Sequence, residues 1–91
     1  MKKTVMAEVS LYPLGTRSLS GPIRAFLHIL ESQKDLEVIP GNMSTQVSGE
    51  ISLVFSSLEQ AFSSVMDSND CVMTLKVSNA CPAEFDPQKE M

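Results

Sequence analysis

From Thr4 onward the chain alternates residue by residue, with Val5, Ala7, Val9 and Leu11 on one side and Met6, Glu8, Ser10 and Tyr12 on the other. A two-residue period of this length belongs to a strand with one apolar and one polar face. The rest of the chain must therefore cover the apolar side and leave the polar side to water, a ligand or a partner.

The cover follows directly. Pro13, Gly15 and the polar residues up to Ser20 break the strand, and Ser20-Gly21-Pro22 opens a helix. Proline is tolerated in a first turn because the N–H it lacks has no intrahelical partner there. Ile23, Phe26, Leu27 and Leu30 recur at helical spacing, while His28 lies off their stripe and is expected to face solvent. Leu36 to Ile39 reads as a short second strand stopped by Pro40-Gly41. Met43 to Ile51 alternates again, with Met43, Thr45, Val47 and Ile51 opposed to Ser44, Gln46, Ser48 and Glu50.

Ser52 is placed to cap a second helix, whose Val54, Phe55, Leu58, Ala61, Phe62 and Val65 form one face. Ser68-Asn69-Asp70 ends that helix. Cys71 to Ser78 then gives the last strand, with Met73, Leu75 and Val77 opposed to Val72, Thr74, Lys76 and Ser78. Residues 83–91 are polar and broken by proline, and are expected to form a flexible tail.

The order β-α-β-β-α-β within residues 1–82 predicts an α+β, ferredoxin-like sandwich. Its four-stranded antiparallel sheet carries two helices on one face. A chain of 91 residues that is 43% hydrophobic supports one core with little apolar material to spare. No helix remains for the second face of the sheet, which is expected to gather Glu8, Ser10, Tyr12, Ser44, Gln46, Ser48, Thr74, Lys76 and Ser78.

Composition excludes several function classes. A formal charge of −4, with no basic cluster beyond Lys2-Lys3, argues against nucleic-acid binding. No apolar run approaches the roughly 18 residues that span a bilayer, and no signal-peptide core follows Lys3, so no membrane insertion and a cytoplasmic location are expected. Cys71 and Cys81 are ten positions apart; if the residues between them are extended at about 3.3 Å each, their sulfurs cannot meet within one chain. Free thiols fit a reducing compartment. Two separated cysteines and one histidine lack metal-ligand spacing, and no nucleophile elbow, phosphate loop or carboxylate pair is present. The chain therefore reads as a non-enzyme without metal or cofactor.

Two residues on the open face have two readings each. A carboxylate on a sheet face is costly unless it is solvated, paired or bound to a ligand. In the usual strand order of this fold the last strand neighbours the first, so Glu8 can pair with Lys76 or serve a ligand. Tyr12, the one tyrosine, suits either an amphipathic plug at a strand end or subunit interface, or a stacking surface.

Four segments in order, SLYPLG at 10–15, GNMSTQVSGE at 41–50, VF at 54–55 and VSNACP at 77–82, resemble the YkoF-like thiamine- and hydroxymethylpyrimidine-binding family. The resemblance spans about residues 5–82. It implies a βαββαβ repeat that binds thiamine or its hydroxymethylpyrimidine moiety without turnover, in salvage or transport. YkoF is similar to two such repeats in tandem, whereas this chain holds one, so a homodimer or homotetramer is expected to supply by symmetry what fusion supplies there. Asn42 stands where the family's short motif has proline after the glycine, which alters the turn.

By this resemblance the ligand neighbourhood comprises Glu8, Ser10, Tyr12, Met43, Ser44, Thr45, Ser48, Ser78 and Asn79. Hydroxyls and a carboxylate satisfy the amine and ring nitrogens of an aminopyrimidine, while Met43 and Tyr12 pack on its flat face. A bulky residue at Thr45 is expected to weaken binding and spare the fold. Two other functions stay open: an oligomeric interaction module that binds no ligand, and an enzyme acting on a thiamine-related compound.

Overall fold

The computed structural model describes residues 3–15 and 20–80. Six elements follow in the expected order: β1 (Thr4–Leu14), α1 (Ser20–Glu31), β2 (Glu37–Pro40), β3 (Thr45–Glu50), α2 (Ile51–Met66) and β4 (Asp70–Ser78). The strands form one sheet in the order β2-β3-β1-β4, and every pairing is antiparallel. This is the ferredoxin-like arrangement, with the first and third strands at the centre. The tail, residues 83–91, and Cys81 lie outside the described residues, as does the question of a bond from Cys81 to Cys71. Cys71 packs against the core from β4 and forms no disulfide among the described residues.

The core lies on one face of the sheet. Val5, Ala7 and Val9 of β1 and Val47 of β3 are buried with Phe26 and Leu30 of α1 and Val54, Leu58, Ala61 and Val65 of α2. Since Val5, Ala7 and Val9 share one side of β1, both helices pack on that side. Residues directly opposite one another on paired strands share a face, so the pairing also fixes the other strands. Ala7 faces Val47 and Val77, and Val9 faces Thr45 and Leu75.

Several boundaries differ from the sequence reading. β1 runs through Pro13 to Leu14 because its pairing with β3 stops at Val9↔Thr45, while that with β4 continues to Leu14↔Asp70. Past Val9 the strand is an edge on its β3 side, and proline is tolerated there because a ladder bond is already absent. β2 is shifted by one residue and includes Pro40, again on an edge strand.

The cap of α2 is Glu50 rather than Ser52. β3 runs into the helix without a loop, and Glu50 has the extended geometry of a cap (φ −63°, ψ 141°). Its carboxylate accepts from the Leu53 N–H at 3.2 Å, and the Ile51 N–H donates to the Lys3 carbonyl at 2.9 Å. Two of the four N–H groups orphaned at a helix start are thereby satisfied; a cap of this kind contributes about 1 kcal/mol. On α2 the buried face takes in Ser57, whereas Phe55 is exposed. His28 is exposed in the last turn of α1, as expected.

Candidate functional site

With both helices on the Val5 side, the opposite face of the sheet carries no helix. Down its centre run Met6, Glu8, Ser10 and Tyr12 of β1, flanked by residues from both neighbouring strands. The register sets Ser48 and Ser78 on either side of Met6, and Gln46 and Lys76 on either side of Glu8. Ser10 faces Thr74, and Tyr12 faces Val72. From β2, Glu37 and Ile39 join this face opposite Ser48 and Gln46.

Glu8 lies at the middle of the face. Lys76 Nζ is 3.9 Å from Glu8 Oε1, and the two side chains are 87% and 50% exposed. The expected cross-strand pair is present, but it is long and wet, which places it among surface ion pairs worth at most about 1 kcal/mol. Glu8 is thus a solvated carboxylate, held loosely by Lys76 and bordered by an amide at Gln46 and the hydroxyl of Ser10 one step along the strand.

The GNMST segment is tied to this face by a hydrogen bond. Ser10 Oγ donates to the Met43 carbonyl at 3.2 Å, tying the β2–β3 turn to β1. The turn is closed by the Gly41 N–H donating to the Ser44 carbonyl at 2.9 Å. A Cβ on Gly41 would lie 2.7 Å from that same oxygen, so the turn requires glycine for space. At its tip Met43 is 91% exposed, an apolar side chain with almost no cover of its own.

Eight of the nine residues expected to form one neighbourhood fall into three groups. Ser10, Tyr12, Met43 and Ser44 gather at the turn end of the face. Ser48 and Ser78 flank Met6 at the other end, with Asn79 just beyond β4. Ser78 Oγ there accepts the Ala80 N–H at 3.1 Å, which leaves its own proton free to donate. Glu8 lies between the two ends. Met6 and Ser10 are four positions apart, about 13 Å along a strand, so a single pyrimidine ring does not touch both ends.

Thr45 is not on this face. It pairs with Val9 and Pro40 and points, half-buried, toward the helices. A bulky side chain there presses on the core before it meets anything on the open side, so the expected effect on binding alone does not follow from its position. Conversely, Gln46, Thr74 and Lys76 border Glu8 and Ser10 more closely than Thr45 does. Their alternation put them on the open face, but only the register shows which of them sit beside the carboxylate. Ile39 had no such signal, because a four-residue strand does not reveal its own facing.

No group of three or more metal-ligating side chains occurs among the described residues. Among the same residues, no helix is long and apolar enough to cross a membrane.

Comparison with known proteins agrees with the fold. The family model described as the YKOF-related family matches residues 4–84. No curated protein matches the sequence. Among solved structures, a hypothetical protein from Methanocaldococcus jannascii superposes with a TM-score of 0.80 at 27% identity, covering 97% of this chain and 92% of that one. A domain of unknown function, DUF77, from Bacillus cereus gives 0.78 at 14% identity, covering 100% and 89%. A Thermotoga maritima protein provisionally assigned to thiamine biosynthesis or salvage gives 0.75 at 13% identity, covering 97% and 95%.

Proposed function

The chain belongs to the YKOF-related family, and from that premise we propose that it binds thiamine or its hydroxymethylpyrimidine moiety reversibly and without turnover, in salvage or transport. The observation that carries the proposal is the open sheet face, where the carboxylate of Glu8 lies among Gln46, Ser10, Thr74 and Lys76. An aminopyrimidine presents an exocyclic amine that donates and ring nitrogens that accept. A carboxylate takes the first, and hydroxyl or amide N–H groups serve the second. The exposed thioether of Met43 and the ring of Tyr12 supply apolar surface at the turn end, where Ser10 anchors the turn. The provisional assignment of the Thermotoga maritima protein to thiamine chemistry supports the same ligand class.

A flat sheet face does not enclose a small molecule, and ligand sites of useful affinity are concave. A second copy laid over the face would supply the missing wall, so the proposed working form is a homodimer or homotetramer. Tyr12, Ile39 and Val72, each about half exposed, give such a contact an apolar component. The same side chains favour the second reading, an oligomeric interaction module without a ligand.

The two readings separate in a nuclear magnetic resonance titration with hydroxymethylpyrimidine. Ligand binding is expected to shift the amide signals of Glu8, Ser10, Gln46 and Thr74 in a saturable way, while those of Ala25 and Glu59 on the outer helix surfaces stay in place. Shifts confined to the helices would remove the open face from the site, and no shift at all in assembled protein would favour the interaction module.

A further inference from the structure

Lys76 is the one cation on the strands bordering Glu8, and it stands directly across from that carboxylate. We propose that Lys76 is a specificity-determining residue that biases the open face toward the neutral hydroxymethylpyrimidine and against the cationic thiamine. The inference rests on the binding function proposed above and concerns the choice between its two ligands.

Three observations carry it. First, the ammonium and the carboxylate are held on adjacent strands in direct register, so Lys76 competes for Glu8 at a high local concentration that no free ligand matches. Second, the pair is long, at 3.9 Å, and the lysine side chain is 87% exposed. Lys76 can therefore swing away when a donor occupies Glu8, and it stays close by when it does. Third, the other nearest neighbours of Glu8 on this face, Met6, Ser10, Gln46 and Thr74, are uncharged, and the next charged group on the face, Glu37, lies two strands away on β2.

An aminopyrimidine that binds Glu8 shares the carboxylate with Lys76 or displaces it from Oε1, and in either case the ammonium stays within a few ångströms of the ligand. Only thiamine then brings a permanent positive charge within reach of that ammonium. Charges within about 10 Å interact appreciably at 0.1 M salt, a span that takes in the second ring of a ligand whose first ring lies on Glu8. The neutral pyrimidine escapes this repulsion. Lys76 therefore lowers the affinity for both ligands a little and for the cationic one more.

The test compares wild type with Lys76→Met, which keeps the aliphatic stem and removes the charge, by calorimetry with thiamine and with hydroxymethylpyrimidine. Lys76 is 87% exposed in the single chain, so the fold should tolerate the change, and the variant's melting temperature and oligomeric state are both checked against wild type first. The expected result is that thiamine binds roughly three- to fivefold more tightly to the variant, and hydroxymethylpyrimidine less than about twofold more tightly. Added salt should then erase the gain for thiamine, since screening removes an unopposed attraction to Glu8. If both proteins bind both ligands with an unchanged affinity ratio, the role of Lys76 is refuted while the binding function stands. If neither protein binds either ligand, the binding function fails and the role of Lys76 fails with it.

Discussion

Replacing Glu8 with arginine is expected to weaken thiamine binding by roughly ten- to a hundredfold while leaving the protein folded. A hydrogen bond to a charged acceptor is worth about 1.5–3 kcal/mol, and each 1.4 kcal/mol is about a factor of ten in affinity. The substitution removes that acceptor and adds a cation beside the place where the ligand's donor would lie. The fold should tolerate it because Glu8 is half exposed on the face without helices. The new like-charge pair with Lys76 across the strands costs no more than about 1 kcal/mol. Calorimetry on variant protein with an unchanged circular dichroism spectrum gives the result. An affinity equal to wild type would take Glu8 out of the site and, with it, the chemical reason for preferring an aminopyrimidine.

The second large effect is on stability. Leu58→Ala is expected to cost roughly 2–5 kcal/mol, the usual range for truncating a fully buried leucine. In a domain of this size that lowers the melting temperature by about 10 °C or more. Leu58 is 2% exposed and sits in the one cluster that joins both helices to β1 and β3. Within the single chain the sheet is covered on one side only, so no second core of the chain shares the loss. Phe55→Ala, at 45% exposure, is expected to cost less than half as much despite removing a larger side chain. Urea unfolding of both variants checks the order; equal losses would mean that Phe55 is covered by a partner subunit.

Phe55 also shows where the sequence stopped being legible. Spacing alone put it on the covered face of α2 with Val54 and Leu58. The structure gives that place to Ser57, which is 1% exposed with an Oγ that lacks a hydrogen-bond partner. Hydropathy favours phenylalanine there, but the angular position of each residue around α2 decides, and Ser57 lies between Val54 and Ala61 in steps of three and four. The cap of α2 escaped for a related reason. Serine is the better cap in general, yet β3 turns into the helix at Glu50, and the longer carboxylate reaches Leu53 from there.

The open face was readable because alternation in β1, β3 and β4 needs no partner to be seen. The strand order, and with it the pair Glu8–Lys76, followed from the usual topology of the fold. The arrangement of the site was not readable in the same way. Ser10 and Met43 lie 33 positions apart, and their hydrogen bond depends on how the β2–β3 turn folds over the end of β1. Thr45 illustrates the reverse error. The motif that carries the family resemblance includes it, but its parity in β3 turns it toward the helices, so motif membership and a place on the site's face are separate properties.

Whether this single-repeat chain binds a thiamine-related ligand is decided by isothermal titration calorimetry. Protein first shown by mass spectrometry to carry no bound ligand is titrated with thiamine and, separately, with hydroxymethylpyrimidine. Saturable heats with both, at a fixed ratio of ligand to chain, are the predicted result and assign recognition to the pyrimidine that the two share. No heat with either ligand at any of several temperatures, in folded protein, would contradict the account and leave the open face as a surface for assembly.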